Sequence, residues 1–160
     1  MLQTEGRFTG RNDFQQIIRD ALATAAQECW HELTLVDATF EDWPLGEREV
    51  IESLNAWSKT GRSLHLLAKR YDTLIAHHHR FVAWRGRWSH IVEARAVPSA
   101  DAQSFPSAIY SPNWVMQRLD LVHGTGICSA EPQRRLVLRE LISEWHSKSS
   151  PAFPATTLGL

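Results

Sequence analysis

The sequence predicts an α/β fold in which a mixed, mainly parallel sheet is flanked by helices, and three observations carry that prediction. Stretches with an apolar residue every three or four positions alternate with short apolar runs, in the order helix, strand, helix, strand, helix, as far as Trp84. That alternation is the pattern of parallel strands joined by right-handed crossovers. Further along, the pattern changes to a hairpin signal and one closing helix, which adds antiparallel strands. The chain has 160 residues, 43% apolar and 22% charged. That is enough for one domain burying roughly two-thirds of its unfolded surface, and its composition excludes disordered, collagen-like and disulfide-rich classes.

Each element has its own local cause. Asn12 or Asp13 can cap a helix in which Phe14, Ile17, Ile18, Ala21, Leu22, Ala25 and Ala26 share a face, ending near Glu28. Leu33, Leu35 and Val36 form an apolar run too short for a helix, so a buried strand is expected at 32–38, followed by the turn residues Asp42, Trp43, Pro44, Leu45 and Gly46. Val50, Ile51, Leu54 and Trp57 recur at helical spacing, and Gly61 stands where a helix C-terminal glycine belongs, which sets a second helix at 47–60. Ser63–Ala68 reads as a second strand, 71–84 as a third helix with His78 toward the core, and 90–97 as a third strand by its alternation. A polar loop at 98–106 leads into a hairpin, with strands at 107–110 and 114–119 flanking Ser111, Pro112 and Asn113. Leu136, Leu138, Leu141, Ile142 and Trp145 mark a last helix over 130–146. Residues 1–147 therefore read as a single α/β domain and 148–160 as an extended C-terminal tail. The tail is either disordered or laid on a sheet edge or neighbouring groove, in which case Phe153 and Leu158 become buried, on this chain or on a partner subunit.

A net charge of −1 hides a segregation. Residues 1–61 hold 11 acidic against 5 basic side chains, 62–95 hold 2 against 7, and 96–160 hold 5 against 5. Two cysteines, Cys29 and Cys128, are too few for a disulfide framework and belong to no zinc-ligand spacing. No apolar run is long enough for a membrane span and the first residues lack a signal-peptide core, so a cytoplasmic location without membrane contact is expected.

No catalytic signature of high specificity is present, but four groups of residues carry candidate chemistry. The first is the cluster His77, His78 and His79. Consecutive helical residues point about 100° apart, so these three cannot share one ion, and neither a metal site nor a cofactor is expected. In the second, Lys69, Arg70, Arg80, Arg85 and Arg87 are interleaved with Trp84 and Trp88, the composition of phosphate contact with base stacking. The competing reading pairs this basic stretch with the acidic first third on a neighbouring crossover. The third group is Asp37 and Asp42, which follow the first strand, where open α/β sheets place ligands; with Lys69 and Arg70 they could line one cleft, or they are simply turn residues. Finally, seven tryptophans are many for this length, and Trp43, Trp84, Trp88 and Trp114 at element ends suggest a subunit contact.

The helix from Phe14 to Ala26, the strand and turn from Leu33 to Asp42, the strand Leu64 to Ala68 followed by His79, Arg80 and Phe81, the strand Ile91 to Arg95, and the hairpin from Pro106 to Asn113 carry a family likeness. In this order they resemble one half of a phospholipase D-like domain. More narrowly, the chain is similar to an uncharacterised bacterial family of such half-domains, found alone or attached to acetyltransferase domains and lacking the H-x-K motif. Active members use H-x-K-x4-D. In this chain the matching positions are Pro106, Ala108 and Asn113, which offer no ionisable group for nucleophilic or acid–base work. The resemblance therefore implies the fold without its reaction, and a homodimer, because full-length relatives pair two halves. A non-catalytic binding or assembly module is the leading expectation. Its rivals are a binder of nucleic acid or another phosphate-containing ligand through the arginine and tryptophan stretch, and an enzyme with an unrecognised site.

Overall fold

The computed structural model describes residues 1–155. Helix α1 (Arg11–Gln27) buries Phe14, Ile17, Ile18, Ala21, Leu22 and Ala25, the face its periodicity predicts. It starts at Gly10 rather than at a capping Asn12 or Asp13: Gly10 has φ 95° and no side chain caps the helix, a geometry only glycine adopts without strain. Before it lies a short strand, β1 (Gly6–Phe8). Strand β2 (Glu32–Val36), helix α2 (Arg48–Ser58) and strand β3 (Ser63–Ala68) follow as expected. At Gly61 an added Cβ would sit 2.3 Å from the Trp57 indole.

The third helix is two. Helix α3 (Asp72–His77) ends where α4 (His79–Arg87) begins, and His78 between them has φ −114° and ψ 61°. The His78 ring supplies the reason: its Nε2 lies 2.9 Å from the carbonyl of Phe40, and its Nδ1 packs 3.2 Å from the Cβ position of Gly46. A contact 38 residues away along the chain overrides local periodicity. His78 faces inward as expected, while His77 and His79 are exposed.

Strands β4 (Val92–Ala96), β5 (Ser107–Tyr110), β6 (Val115–Asp120) and β7 (Thr125–Ser129), helix α5 (Pro132–Ser147) and a two-residue strand β8 (Ser150–Pro151) complete the fold. All eight strands form one sheet in the order β1-β7-β6-β5-β2-β3-β4-β8. The sheet is mixed but not mainly parallel. Only β2–β3 and β3–β4 are parallel, and the other five neighbouring pairs are antiparallel. Both crossovers read from the sequence are present; the excess of antiparallel pairing comes from β1, β7 and β8, which are too short or too glycine-rich to show a pattern. Gly126 in β7 makes room for this meander: an added Cβ would stand 2.2 Å from the Gln117 carbonyl oxygen and 2.5 Å from the Phe8 ring.

Alternation along the strands divides the core between the two sheet faces. Leu33, Leu35, Leu64, Leu66, Ile109 and Met116 pack with α1 to α4, whereas Val36, Leu67, Ala108 and Val115 pack with Leu138 and Ile142 of α5. Of the four tryptophans at element ends, Trp43, Trp84 and Trp114 are buried in this chain's own core and Trp88 is part-exposed, as is Trp145 on α5, so most of the tryptophan excess fills the interior rather than a subunit contact. Phe153 is also buried on its own chain, stacked on Tyr71 at 5.2 Å, while Leu158 lies outside the described residues. No helix among the described residues is long and apolar enough to cross a membrane.

Candidate functional site

The first candidate sits where β2 ends. Asp37 leaves the strand and its Oδ2 accepts the backbone N–H groups of Thr39 at 3.2 Å and Phe40 at 2.8 Å, which holds Phe40 at φ 58°. This turn returns the chain so that Asp42 lies beside Asp37. Between them reaches Arg118, from the inward face of β6. Its Nη2 donates to Asp37 Oδ1 at 3.0 Å and Asp42 Oδ1 at 3.3 Å, its Nη1 to Asp42 Oδ2 at 2.5 Å, and its Nε to Ser107 Oγ at 3.1 Å. The guanidinium lies over the Phe14 ring, 4.0 Å from its centre. Every nitrogen of Arg118 is occupied, and the side chains of Arg118 and Asp37 are only 5% and 6% exposed.

A cleft of about 480 Å³ opens over this cluster, lined also by Arg11, Glu41, Phe105 and Leu121. Its two arginines face Asp37, Glu41 and Asp42, which leaves one net negative charge, an environment that repels rather than gathers a phosphodiester. The positions matching the phospholipase D-type motif lie close by in sequence but offer nothing to it: Pro106 and Ala108 are buried and Asn113 is exposed in the hairpin turn. Sequence reasoning finds both aspartates and misses Arg118. The available signal is parity, because Trp114, Met116 and Arg118 alternate onto one apolar face, and an arginine there must bring its counter-charge with it.

Lys69 and Arg70 do not join this cleft. Lys69 Nζ donates to the carbonyls of Pro98, at 3.1 Å, and Ala100; Arg70 is exposed and makes no side-chain hydrogen bond among the described residues. The rest of the basic stretch is dispersed. Trp84 is fully enclosed and so cannot stack on a base. Arg85 is buried against Phe153, whose carbonyl accepts its Nε at 3.2 Å. Arg80 donates to the Gly46 carbonyl at 2.9 Å while remaining exposed, Arg87 is exposed, and Trp88 is half-buried. Arg80 and Arg87, seven residues apart, share one face of α4.

The expected pairing of this stretch with the acidic first third is not made. Arg19 takes Glu47 and Glu49, and Arg118 takes Asp37 and Asp42. Among the described residues no lysine or arginine of 62–95 forms an ion pair with a carboxylate; those that are bonded lean on backbone carbonyls or on Ser149. Glu93 instead stands between two histidines, its Oε1 being 3.3 Å from His65 Nδ1 and 3.3 Å from His146 Nε2. Partial burial pushes the Glu93 carboxyl up, but the hydrogen bonds from His146 and His65 more than offset it and hold it below its ordinary value. Among the described residues no three histidine, cysteine or carboxylate side chains are placed to hold a metal ion.

No protein-family model matches this chain, and no curated protein matches it in sequence. Solved structures do share its fold. TrmBL2, an archaeal chromatin protein described for a novel mode of DNA binding, superimposes with a TM-score of 0.68 at 15% identity, over 94% of this chain and 54% of that one. This chain thus spans about half the length of TrmBL2. Nuc, a phospholipase D family member from Salmonella typhimurium, superimposes with a TM-score of 0.59 at 9% identity, over 92% of this chain and 98% of that one. At such identities the likeness establishes a phospholipase D-like fold and nothing further.

Proposed function

We propose that this protein is a non-catalytic phospholipase D-like module that acts by assembly and binding. The observation that carries the reading is the saturated cluster of Arg118, Asp37 and Asp42, which commits the charged groups at the end of β2 to one another. A reacting phosphodiester would need a nucleophile and an acid within hydrogen-bond reach, and Pro106, Ala108 and Asn113 supply neither. Incubation with bis-p-nitrophenyl phosphate is expected to release no p-nitrophenolate above background. Turnover that Asp42→Asn abolishes overturns the reading.

The assembly in question is a homodimer through α5. Arg134, Val137, Leu141 and Glu144 are spaced three, four and three apart and form one stripe, with Arg134, Val137 and Glu144 exposed. A second copy laid antiparallel sets Arg134 against Glu144 and Val137 against Leu141, twice over, the self-complementarity an isologous contact requires. Light scattering is expected to give twice the chain mass, and Val137→Glu to give one; a monomeric wild type at high concentration refutes it.

A nucleic acid is the second reading, favoured by the basic stretch having no carboxylate partners among the described residues. Arg62, Arg70, Arg80 and Arg87 keep their charge at the surface, and the similar fold of a DNA-binding chromatin protein is in keeping with such a partner. Oligonucleotide affinity is expected to fall steeply with salt and to drop in Arg80→Ala/Arg87→Ala. No binding at low salt eliminates this partner.

A further inference from the structure

A different arginine is left in the condition that Arg118 avoids. Arg85, on α4, is 7% exposed, and among the described residues it has no carboxylate partner and a single hydrogen bond, from Nε to the Phe153 carbonyl. Its Nη1 is enclosed without any partner. Arginine does not discharge itself when buried, and a buried ion without a counter-charge is strongly disfavoured. Glu93 lines the same cleft as Arg85 but forms no ion pair with it, its carboxylate being turned to His65 and His146, and the Tyr71 hydroxyl, pushed well up by burial, donates to the Arg95 carbonyl at 2.8 Å and stays neutral.

The surroundings hold the guanidinium in place and leave one side open. Phe153 stacks on Tyr71 and lies under the guanidinium, 5.6 Å from its ring centre. The segment 150–155 that carries Phe153 crosses the sheet edge, where Ala152 N–H donates to the Ala94 carbonyl at 3.0 Å, and passes over α4 at Gly86, where an added Cβ would stand 3.3 Å from the Ala155 oxygen. Between this segment, β4 and α4 lies a cleft of about 500 Å³, walled by Val92, Ala94, Pro151, Ala152 and Pro154, with Arg85 as its one cation among the described residues.

We propose that this cleft, at the β4–β8 edge and away from the Arg118 cluster, binds a small carboxylate ligand with a short apolar body, held by the guanidinium of Arg85. With Nε committed to Phe153 and Nη1 enclosed, Nη2 is the donor left to meet a carboxylate oxygen in a charge-assisted hydrogen bond. A dianionic phosphate fits less well, since no second cation among the described residues lines the cleft and its other charged residue is Glu93. The apolar walls accept a few methylene groups.

The test is thermal melting and titration calorimetry of the full chain with sodium butyrate, with inorganic phosphate and chloride at matched ionic strength. Butyrate is expected to raise the midpoint saturably at millimolar concentration, with phosphate and chloride weaker. Arg85→Met is expected to weaken butyrate about tenfold or more, and Arg87→Met to leave it unchanged. Ala152→Trp, which fills the cleft and leaves Arg85 intact, is expected to abolish binding and serves if Arg85→Met does not fold. No saturable effect of butyrate on the wild type, binding that survives in both variants, or phosphate matching butyrate overturns the assignment.

Discussion

Replacing Arg118 by methionine tests whether the cluster at the end of β2 is a structural knot. Methionine keeps most of the side-chain volume and can lie against Phe14, so the loss is chiefly electrostatic. The change removes the donors to Asp42, Ser107 and Asp37. Asp42 is part-exposed and recovers water, but Asp37 is 4% exposed and keeps only the two backbone donors on Oδ2. Breaking one side of a buried pair in this way costs about 3–5 kcal/mol. At roughly 2–4 °C per kcal/mol for a domain of this size, the melting midpoint falls by about 6–20 °C. Circular dichroism melts at neutral pH measure it. The diagnostic comparison is the triple variant Arg118→Met/Asp37→Asn/Asp42→Asn, in which the amide oxygen at position 37 still accepts the turn N–H groups and no charge is stranded. It should recover about half or more of the loss, because neutral replacement of a buried pair is often close to neutral in stability. A single variant that loses less than about 1 kcal/mol, or a triple variant no more stable than the single, refutes the account.

Other outcomes rest on neighbouring contacts. The Glu47 carboxyl is held below its ordinary value by the hydrogen bond from Arg19, so its contribution is complete above the ordinary carboxylate range and lost as pH falls through the lowered value. Glu47→Gln should flatten the acid limb of a urea-denaturation pH series by about 0.2–1 kcal/mol, as suits a part-exposed pair; an unchanged slope counts against it. Cys29 is exposed, whereas burial and then the charge of Glu5 push the Cys128 thiol up to about 12. Ellman's reagent should therefore titrate one thiol in the native protein and two in guanidinium, and rapid native reaction of both contradicts the burial of Cys128. Gly126→Ala puts a methyl group against Gln117 and Phe8 and should cost about 1–3 kcal/mol or more by chemical denaturation. A neutral result would mean that β1 does not close over β7 as described.

What the sequence makes legible is whatever a segment decides by itself. Helix α1 shows its buried face because seven apolar residues recur at helical spacing, and β2 and β3 announce themselves as runs too short for helices. Edge strands are decided elsewhere: β1 has three residues and β8 has two, and each exists because a partner strand offers unpaired backbone groups. The break at His78 has the same origin in a distant carbonyl. At the candidate site, Asp37 and Asp42 can be found from their place after a strand, but their state cannot. Whether two carboxylates at a strand end are reactive or spent depends on a third residue, Arg118, 76 positions away from Asp42, and only its place on an apolar strand face hints at the answer.

The segregated charge has a physical meaning that the net value of −1 conceals. An acidic first third beside a basic second third invites direct ion pairing, yet the two large acidic contacts are met from elsewhere, by Arg19 within the first third and by Arg118 from the hairpin. The basic stretch settles on backbone carbonyls, which satisfy N–H donors without cancelling charge. Its positive field therefore survives folding, at the surface on Arg62, Arg70, Arg80 and Arg87 and in the interior on Arg85. These two populations answer to different partners. Exposed guanidiniums already have water as a counter-environment, so they gain from a polyanion mainly through counterion release and lose that gain in salt. Arg85, screened from water by Phe153 and its segment, gains from a single anion that enters its cleft, and salt weakens that contact far less. Measuring both affinities across one salt series separates the surface from the cleft, because a steep slope and a shallow one cannot come from the same group.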